Sequence, residues 1–285
     1  MKAFFITTDT DDCQNHVDAW NSCYGYSVHH KFNIHQIRND WQLLEIARKE
    51  EPDVIFYIGA VKGNAIPKIE VLKELRDIAP TINLCSDAAD RPWHPVLEYY
   101  KKNACFDLQV SIDGALDSPV DYVTLTPVDF TNFRPIKKSI KCGFSGTVGR
   151  WNTRSEIINA LEWFSILKVR RRGGSVRDHA NFVSKCKILL NTSWTGTEYT
   201  HHIKGRVLEA GFANCALLEH VKSPISNWFT NCWIPWRTAK DVNEIINDIT
   251  DGEIQSIANK LTEQVKSKYS PKMIFDGILS HVDIA

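Results

Sequence analysis

Apolar and polar positions change period repeatedly along the chain, and the changes mark out its elements. KAFFITT (2–8) is a β-rich apolar run, SVHHKFNI (27–34) follows a glycine-containing turn, and DVIFYIG (53–59) is continuously apolar. A continuous run of that length fits a strand covered on both faces. QLLEIARKEE (42–51) has helical spacing and stops at Pro52. PKIEVLKELRDI (67–78) opens on a proline and carries Ile69, Leu72 and Leu75 on one helical face. TINLCSD (81–87), a helical stretch near 95–102, LQVSID (108–113) and YVTLTP (122–127) continue the alternation. Strands alternating with helices at this interval predict a parallel sheet with helices on both sides.

TPVDFTNFRPIKK (126–138), bounded by Pro127 and Pro135, breaks the rhythm and reads as a linker. The pattern then restarts with KCGFSG (141–146), a helix over 152–164, ILKVRRR (166–172), a helix over 177–185 and CKILLNTS (186–193). A helix near 203–213, CALLEH (215–220) and helices over 239–249, 252–268 and 272–282 complete it. The expected architecture is α/β: two doubly wound Rossmann-like domains facing a cleft, with ligands at the carboxyl ends of the strands. The domains are placed at 1–127 and 139–270, with a linker over 128–138 and a C-terminal helix over 271–285 returning to the first domain. The aromatic stretch NWFTNCWIPW (228–236) reads as packing rather than as a stacking platform.

Composition narrows the function. The 285 residues are 43% hydrophobic and include 9 Trp, 8 Tyr and 13 Phe, which excludes disorder as the overall state. No apolar run approaches the roughly 20 residues of a membrane span, and MKAFFITTDTDD meets acids too early for a signal peptide. The eight cysteines are scattered without a CxxC, as expected of buried thiols in a reducing cytoplasm. Lys plus Arg (34) equal Asp plus Glu (34), so no nucleic-acid partner is expected, and the run KVRRR (168–172) has no RNA-binding motif beside it. The charge is segregated, however: residues 134–210 hold 15 Lys/Arg against 5 Asp/Glu. That concentration suits an anionic ligand or, more plainly, a solvated basic face.

Two segments inside this basic stretch carry candidate chemistry. In GFSGTVGR (143–150) a strand runs into a glycine-punctuated turn and then a helix opened by Asn152 or Thr153, an arrangement able to approach phosphate. Arg150 and Arg154 add charge, while the absence of GK[ST] excludes a Walker loop. In KGRVLEAG (204–211), Lys204 and Arg206 fall near a helix N-terminus, where cations without an anionic partner are disfavoured. Glu209 lies three residues on and could simply pair with Arg206 at the surface.

SKCKILLNTSWTGTEYTHHIKGRVLEAGFANCALLEH (184–220) resembles the donor-binding domain of GT-B-fold glycosyltransferases, closest to the group 1 and CgeB-like branch. TPVDFTNFRP followed by KCGFSGTVGRWNTR is similar to that family's hinge and the first strand of its second domain. The resemblance implies a donor site for a nucleotide diphosphate-sugar. Gly143, Ser145, Gly146 and Thr147 would form the turn near the diphosphate, and Arg150, Lys204 and Arg206 would neutralise it. Glu209 would hold the ribose, and Asn191, Thr192 and Ser193 would line the pocket. Retaining members carry a second glutamate where this chain has His201, so His201 or His202 would face the sugar or a phosphate instead.

The acceptor hydroxyl needs a base. The candidates lie in SDAADRPWH after a first-domain strand: Asp87 foremost, then Asp90 and His94, with His16 behind them. Asp9-Thr10-Asp11-Asp12 has a D-x-D spacing but reads as a turn or cap rather than a metal site. The expected reaction is metal-independent, cofactor-free transfer of a sugar, hexosyltransferase-like, to a hydroxyl on a glycan, lipid or protein. A nucleotide-sugar epimerase of the same fold and a non-catalytic nucleotide-sugar-binding module are the alternatives.

Overall fold

The computed structural model describes residues 1–8, 11–32, 40–58, 67–149, 152–171, 173–195, 197–198 and 200–284, without the side chains of Thr8, Asp11, Asp12 and Phe32. It divides into two compact units, Met1–Asp129 with Pro271–Ala285 and Phe130–Ser270. Among the described residues no helix is long and apolar enough to cross a membrane.

The first unit is built on a six-stranded sheet in the order β2-β1-β3-β4-β5-β6. Its strands are β1 (Ala3–Thr8), β2 (Ser27–Phe32), β3 (Val54–Ile58), β4 (Thr81–Cys85), β5 (Leu108–Ser111) and β6 (Tyr122–Val123), all paired in parallel. The connections are α1 (Asp11–Tyr24), α2 (Trp41–Glu50), α3 (Ile69–Arg76) and α4 (His94–Lys102). Every residue of β3, β4 and β5 is buried, as the two covering layers require. The helix α1 was not legible in the apolar pattern, because its buried stripe is made of Cys13, His16, Val17, Ala19 and Trp20 rather than Leu or Ile. The C-terminal helix α10 (Pro271–Leu279) packs on α1: the Phe275 ring lies 5.1 Å edge-on to Trp20 and 5.8 Å from Phe56, and the Tyr24 hydroxyl donates to Asp276.

The second unit has a five-stranded parallel sheet in the order β11-β10-β9-β7-β8. Its elements are β7 (Ile140–Gly146), α5 (Thr153–Trp163), β8 (Lys168–Arg171), α6 (Val176–Lys185), β9 (Cys186–Leu190), α7 (Arg206–Phe212), β10 (Ala216–His220), β11 (Ile234–Trp236), α8 (Ala239–Asp248) and α9 (Asp251–Lys268). Phe144, Ile188, Leu190 and Leu218 meet Ile158 and Leu161 of α5, Val242 and Ile246 of α8, and Ile254 of α9 in one core. The helix starts are set by polar caps: Asn152 accepts from Ser155 N at 2.8 Å, and Ser175, Thr238 and Thr250 each complete a capping box. β11 holds Pro235 and is an edge strand, the place in a sheet that tolerates a missing N–H.

In both sheets the order reverses beside the first strand, between β1 and β3 and between β7 and β9. The carboxyl ends of those two strands flank the crevice where open α/β sheets bind ligands. In the first unit the segments leaving β1 and β3 lie outside the described residues. In the second they are present except for residues 150–151, 196 and 199.

Candidate functional site

At the switch point of the second sheet, β7 ends in Ser145 and Gly146, while β9 delivers Asn191, Thr192 and Ser193. All of these except Gly146 are fully buried. The first residue of α7, Arg206, enters between the two strand ends. Its Nη1 donates to Asn191 Oδ1 at 3.2 Å, and its guanidinium lies over the Phe144 ring, 5.1 Å from the centroid. Gly146 has φ +150°, and a Cβ there would sit 2.1 Å from Arg206 Nη2, so only glycine lets the arginine lie against this backbone. Gly143 does something else: it lies within β7, and a Cβ there would meet Cys186 Sγ at 2.4 Å. That glycine lets the end of α6 pack on the strand, and the turn proper begins at Gly146.

The other side of Asn191 is fixed by Glu219 of β10, whose Oε2 accepts from Asn191 Nδ2 at 2.6 Å. Burial pushes the Glu219 carboxyl up to about 7, against the hydrogen bond from Asn191 and the charge of Lys204. Lys204 Nζ donates to His202 Nε2 at 2.8 Å, which makes that ring nitrogen the acceptor. Arg206 contacts Asn191, and Lys204 lies close enough to lower the Glu219 carboxyl, so both cations stand at the ends of the same strands.

His201 is not a cation. Its Nδ1 bonds Ser193 Oγ at 2.8 Å and its ring stacks on His220 at 5.0 Å and 6°. Burial, then the neighbouring His220 and Lys222, lower its pKa to about 4, so at neutral pH it offers hydrogen bonds but no charge. Trp194 and Trp236 flank this histidine pair, 4.5 and 4.9 Å from the His220 ring. Thr192 Oγ1 is buried with no hydrogen-bond partner among the described residues.

Glu209 is turned inward, its side chain 12% exposed, rather than standing at the surface as a partner of Arg206. Its Oε2 meets His179 Nε2 of α6 at 2.8 Å, and His179 Nδ1 meets Ser145 Oγ at 2.8 Å. Arg170 Nη1 reaches the same Ser145 Oγ at 3.4 Å. Burial raises the Glu209 carboxyl, but the contact with His179 and the nearby Arg206 outweigh it and hold the group below its ordinary value. A carboxylate only accepts, so His179 Nε2 carries a proton; in the neutral ring Nδ1 then accepts the Ser145 hydroxyl.

Arg150 lies outside the described residues, as do Asp9 and Thr10. Thr147 is exposed just beyond the turn, and Arg154 Nη2 donates to Trp194 O at 2.8 Å. In the first unit Asp87, Asp90 and His94 share one turn after β4. Asp87 has φ +58°, Asp90 N donates to Asp87 O at 2.9 Å, and His94 Nε2 lies 3.3 Å from Ala89 O. This turn follows the strand next to the switch point, not the switch point itself. His16 is buried on α1. Among the described residues, no three His, Cys, Asp or Glu side chains are grouped to hold a metal ion.

No protein-family model matches the chain, and no curated protein does. Solved structures match along its whole length. HepE from Anabaena, in complex with UDP and glucose, has a TM-score of 0.67 at 11% identity, covering 98% of each chain. An alpha-glucosyltransferase in complex with UDP and a 13-mer DNA has a TM-score of 0.67 at 10% identity, covering 98% of this chain and 99% of that one. AviGT4, a glycosyltransferase involved in avilamycin A biosynthesis, has a TM-score of 0.53 at 11% identity, over 99% and 96%.

The chain has the GT-B fold. Its structural neighbours are GT-B glycosyltransferases, several holding UDP or UDP-glucose; a CgeB-like branch is not among the assignments they support. One expectation is overturned. Zero net charge does not exclude nucleic acid for a chain of this fold, since alpha-glucosyltransferase, over nearly the same length, was solved with DNA. Exclusion by total charge fails because a nucleic acid responds to the local field, and this GT-B chain gathers its positive charge in one segment.

That segment is itself less uniform than its count suggests. Lys138 Nζ is turned inward onto Ser184 O and Ala213 O at 3.0 and 2.7 Å, Arg171 pairs with Glu162 at 2.6 Å, and Lys187 pairs with Asp251 at 2.7 Å. Among the described residues, Lys204, Arg206 and Arg170 stand at the strand ends. His179, Arg170 and Glu219 were missed in the sequence. Glu219 sits inside an apolar strand, and His179 occupies a helix position with no motif around it.

Proposed function

We propose that the protein is a glycosyltransferase that moves a sugar, of hexosyl type, from a nucleoside diphosphate-sugar to a hydroxyl acceptor, without a metal or other cofactor. The observation that carries the reading is the convergence of Lys204, Arg206, Asn191 and Glu209 beside Gly146 at the switch point of the second sheet. Negative charge grows on the departing diphosphate during transfer, and two fixed cations stabilise it without reorganisation. Glu209, an acceptor held ionised, suits the ribose hydroxyls. Arg150 is assigned to the same diphosphate, and Thr192 and Ser193, with His201 and His202, to the donor pocket wall. Asp87, with Asp90 and His94 beside it, is the base assigned to the acceptor hydroxyl.

The solved neighbours hold UDP, so UDP is the first donor base to test. Saturating UDP raises the melting temperature of the protein, and Arg206→Ala abolishes most of that rise. Unchanged melting with uridine, guanosine and adenosine diphosphates, with and without sugar, refutes the reading. Turnover is then sought with a labelled donor sugar against glycan, lipid, protein and DNA acceptors. DNA belongs in the panel because one alpha-glucosyltransferase complex contains DNA with an HMU base.

A further inference from the structure

We propose that His179 is a positioning residue that anchors one oxygen of Glu209 and leaves the other to a ribose, so that it sets how strongly the site prefers a ribonucleotide donor. The inference rests on the donor-site reading above. Glu209 stands in the first turn of α7, and its Oε2 meets His179 Nε2 at 2.8 Å. Among the described residues its Oε1 accepts no hydrogen bond, and the side chain is 12% exposed, so that oxygen can meet a ligand hydroxyl. Arg206 adds charge that helps to keep the carboxylate ionised. The bond that gives the carboxylate a direction is the one from His179.

His179 is itself held in one orientation and one tautomer. It comes from a different helix, α6, and Phe133 meets its ring edge-on at 5.8 Å and 79°. Its Nδ1 lies 2.8 Å from Ser145 Oγ, and Arg170 Nη1 reaches the same oxygen at 3.4 Å. A guanidinium only donates, so Ser145 Oγ accepts from Arg170 and gives its own hydrogen to Nδ1. That leaves the ring hydrogen on Nε2, the atom facing the carboxylate. Ser145 is fully buried and precedes Gly146, so the anchor is tied to the turn at the end of β7. Without it the ligand would have to order the glutamate itself, which weakens binding.

Calorimetric titration with UDP and its 2′,3′-dideoxy analogue tests this, with the guanosine or adenosine pair in their place where one of those binds instead. The wild type binds UDP about tenfold or more tighter than the dideoxy compound, the worth of a hydrogen bond to a charged acceptor. His179→Ala cuts that ratio to about threefold or less by weakening UDP, while the dideoxy compound stays within about twofold of its wild-type affinity. Glu209→Gln lowers the ratio in the same way. His179→Gln, whose amide can still donate to Glu209, keeps the ratio at about tenfold. A merely structural role for His179 weakens both nucleotides alike and leaves the ratio where it was. An unchanged ratio in His179→Ala or Glu209→Gln, or one that His179→Gln fails to keep, overturns the proposal. A wild type that binds both compounds equally overturns it too, leaving the diphosphate half of the reading intact. Should His179→Ala not fold, His179→Asn, whose shorter amide stops short of the carboxylate, takes its place. A wild-type protein that binds no uridine, guanosine or adenosine diphosphate refutes the donor-site reading itself.

Discussion

Glu219→Gln separates the penalty of a buried charge from everything else in the second unit. Glu219 is 0% exposed on β10, and burial lifts its carboxyl from 4.5 to about 7. Below about pH 4.5 the group is protonated in the folded and unfolded chain alike and contributes no pH dependence. Between about pH 4.5 and 7 the unfolded chain releases the proton while the folded one keeps it, and each pH unit removes about 1.4 kcal/mol of stability. Above about pH 7 both are ionised and the loss has saturated at about 3 kcal/mol. Glutamine stays neutral throughout, and its carbonyl oxygen can still accept from Asn191 Nδ2, the bond made at 2.6 Å in the wild type. Ligand-free wild type and variant therefore melt nearly alike at pH 5, and at pH 8 the variant melts higher by on the order of 10 °C. The measurement is a pair of melting curves across pH 5 to 8, read as their difference so that all other titrations cancel. Parallel curves refute the reasoning: they mean that Lys204 and the surrounding dipoles fully compensate the buried carboxylate.

Three other outcomes follow from close contacts. Gly146→Ala places a methyl group 2.1 Å from Arg206 Nη2 at a φ that side chains avoid, and weakens UDP binding about tenfold or more by titration. Gly211→Ala brings a Cβ within 2.5 Å of Val265 Cγ2 and destabilises the second unit by about 1–3 kcal/mol in denaturant. Adding Val265→Ala returns part of that loss, and a pair of losses that simply add contradicts the contact. Asn152→Ala removes the cap on Ser155 N and lowers stability by about 1 kcal/mol, again by denaturant; an unchanged midpoint rejects it.

The strand–helix alternation was legible because burial on both faces leaves apolar runs such as VIFYI that need no partner to be recognised. Elements whose burial uses unusual residues were not. α1 buries Cys13, His16 and Trp20 instead of branched aliphatics, and β11 carries a proline that its edge position excuses. The site divides the same way. Gly146, Arg206 and Glu209 lie in segments whose local pattern already suggested anion chemistry, and Asn191 was reached through the family resemblance alone. His179 became visible only when α6 set it between two groups 34 and 30 positions away. No spacing rule reaches that far, because such contacts are made by packing.

Charge shows the same limit from the opposite side. A net charge is a sum over the whole surface, while a ligand responds to the field within a Debye length, roughly 10 Å at ordinary salt. In residues 134–210 the sum overstated the available cations, since Lys138, Arg171 and Lys187 are consumed by carbonyls and carboxylates. For the whole chain the sum understated them, because the zero total conceals the few cations gathered at the β7 and β9 ends. What decides anion binding is where the fold places each cation, which a count along the chain does not record. At the β7 and β9 ends that placement is made by neighbours far apart in the chain: Asn191 accepts from Arg206 by its amide oxygen, His202 accepts from Lys204 by a ring nitrogen, and His179 meets the Glu209 carboxylate.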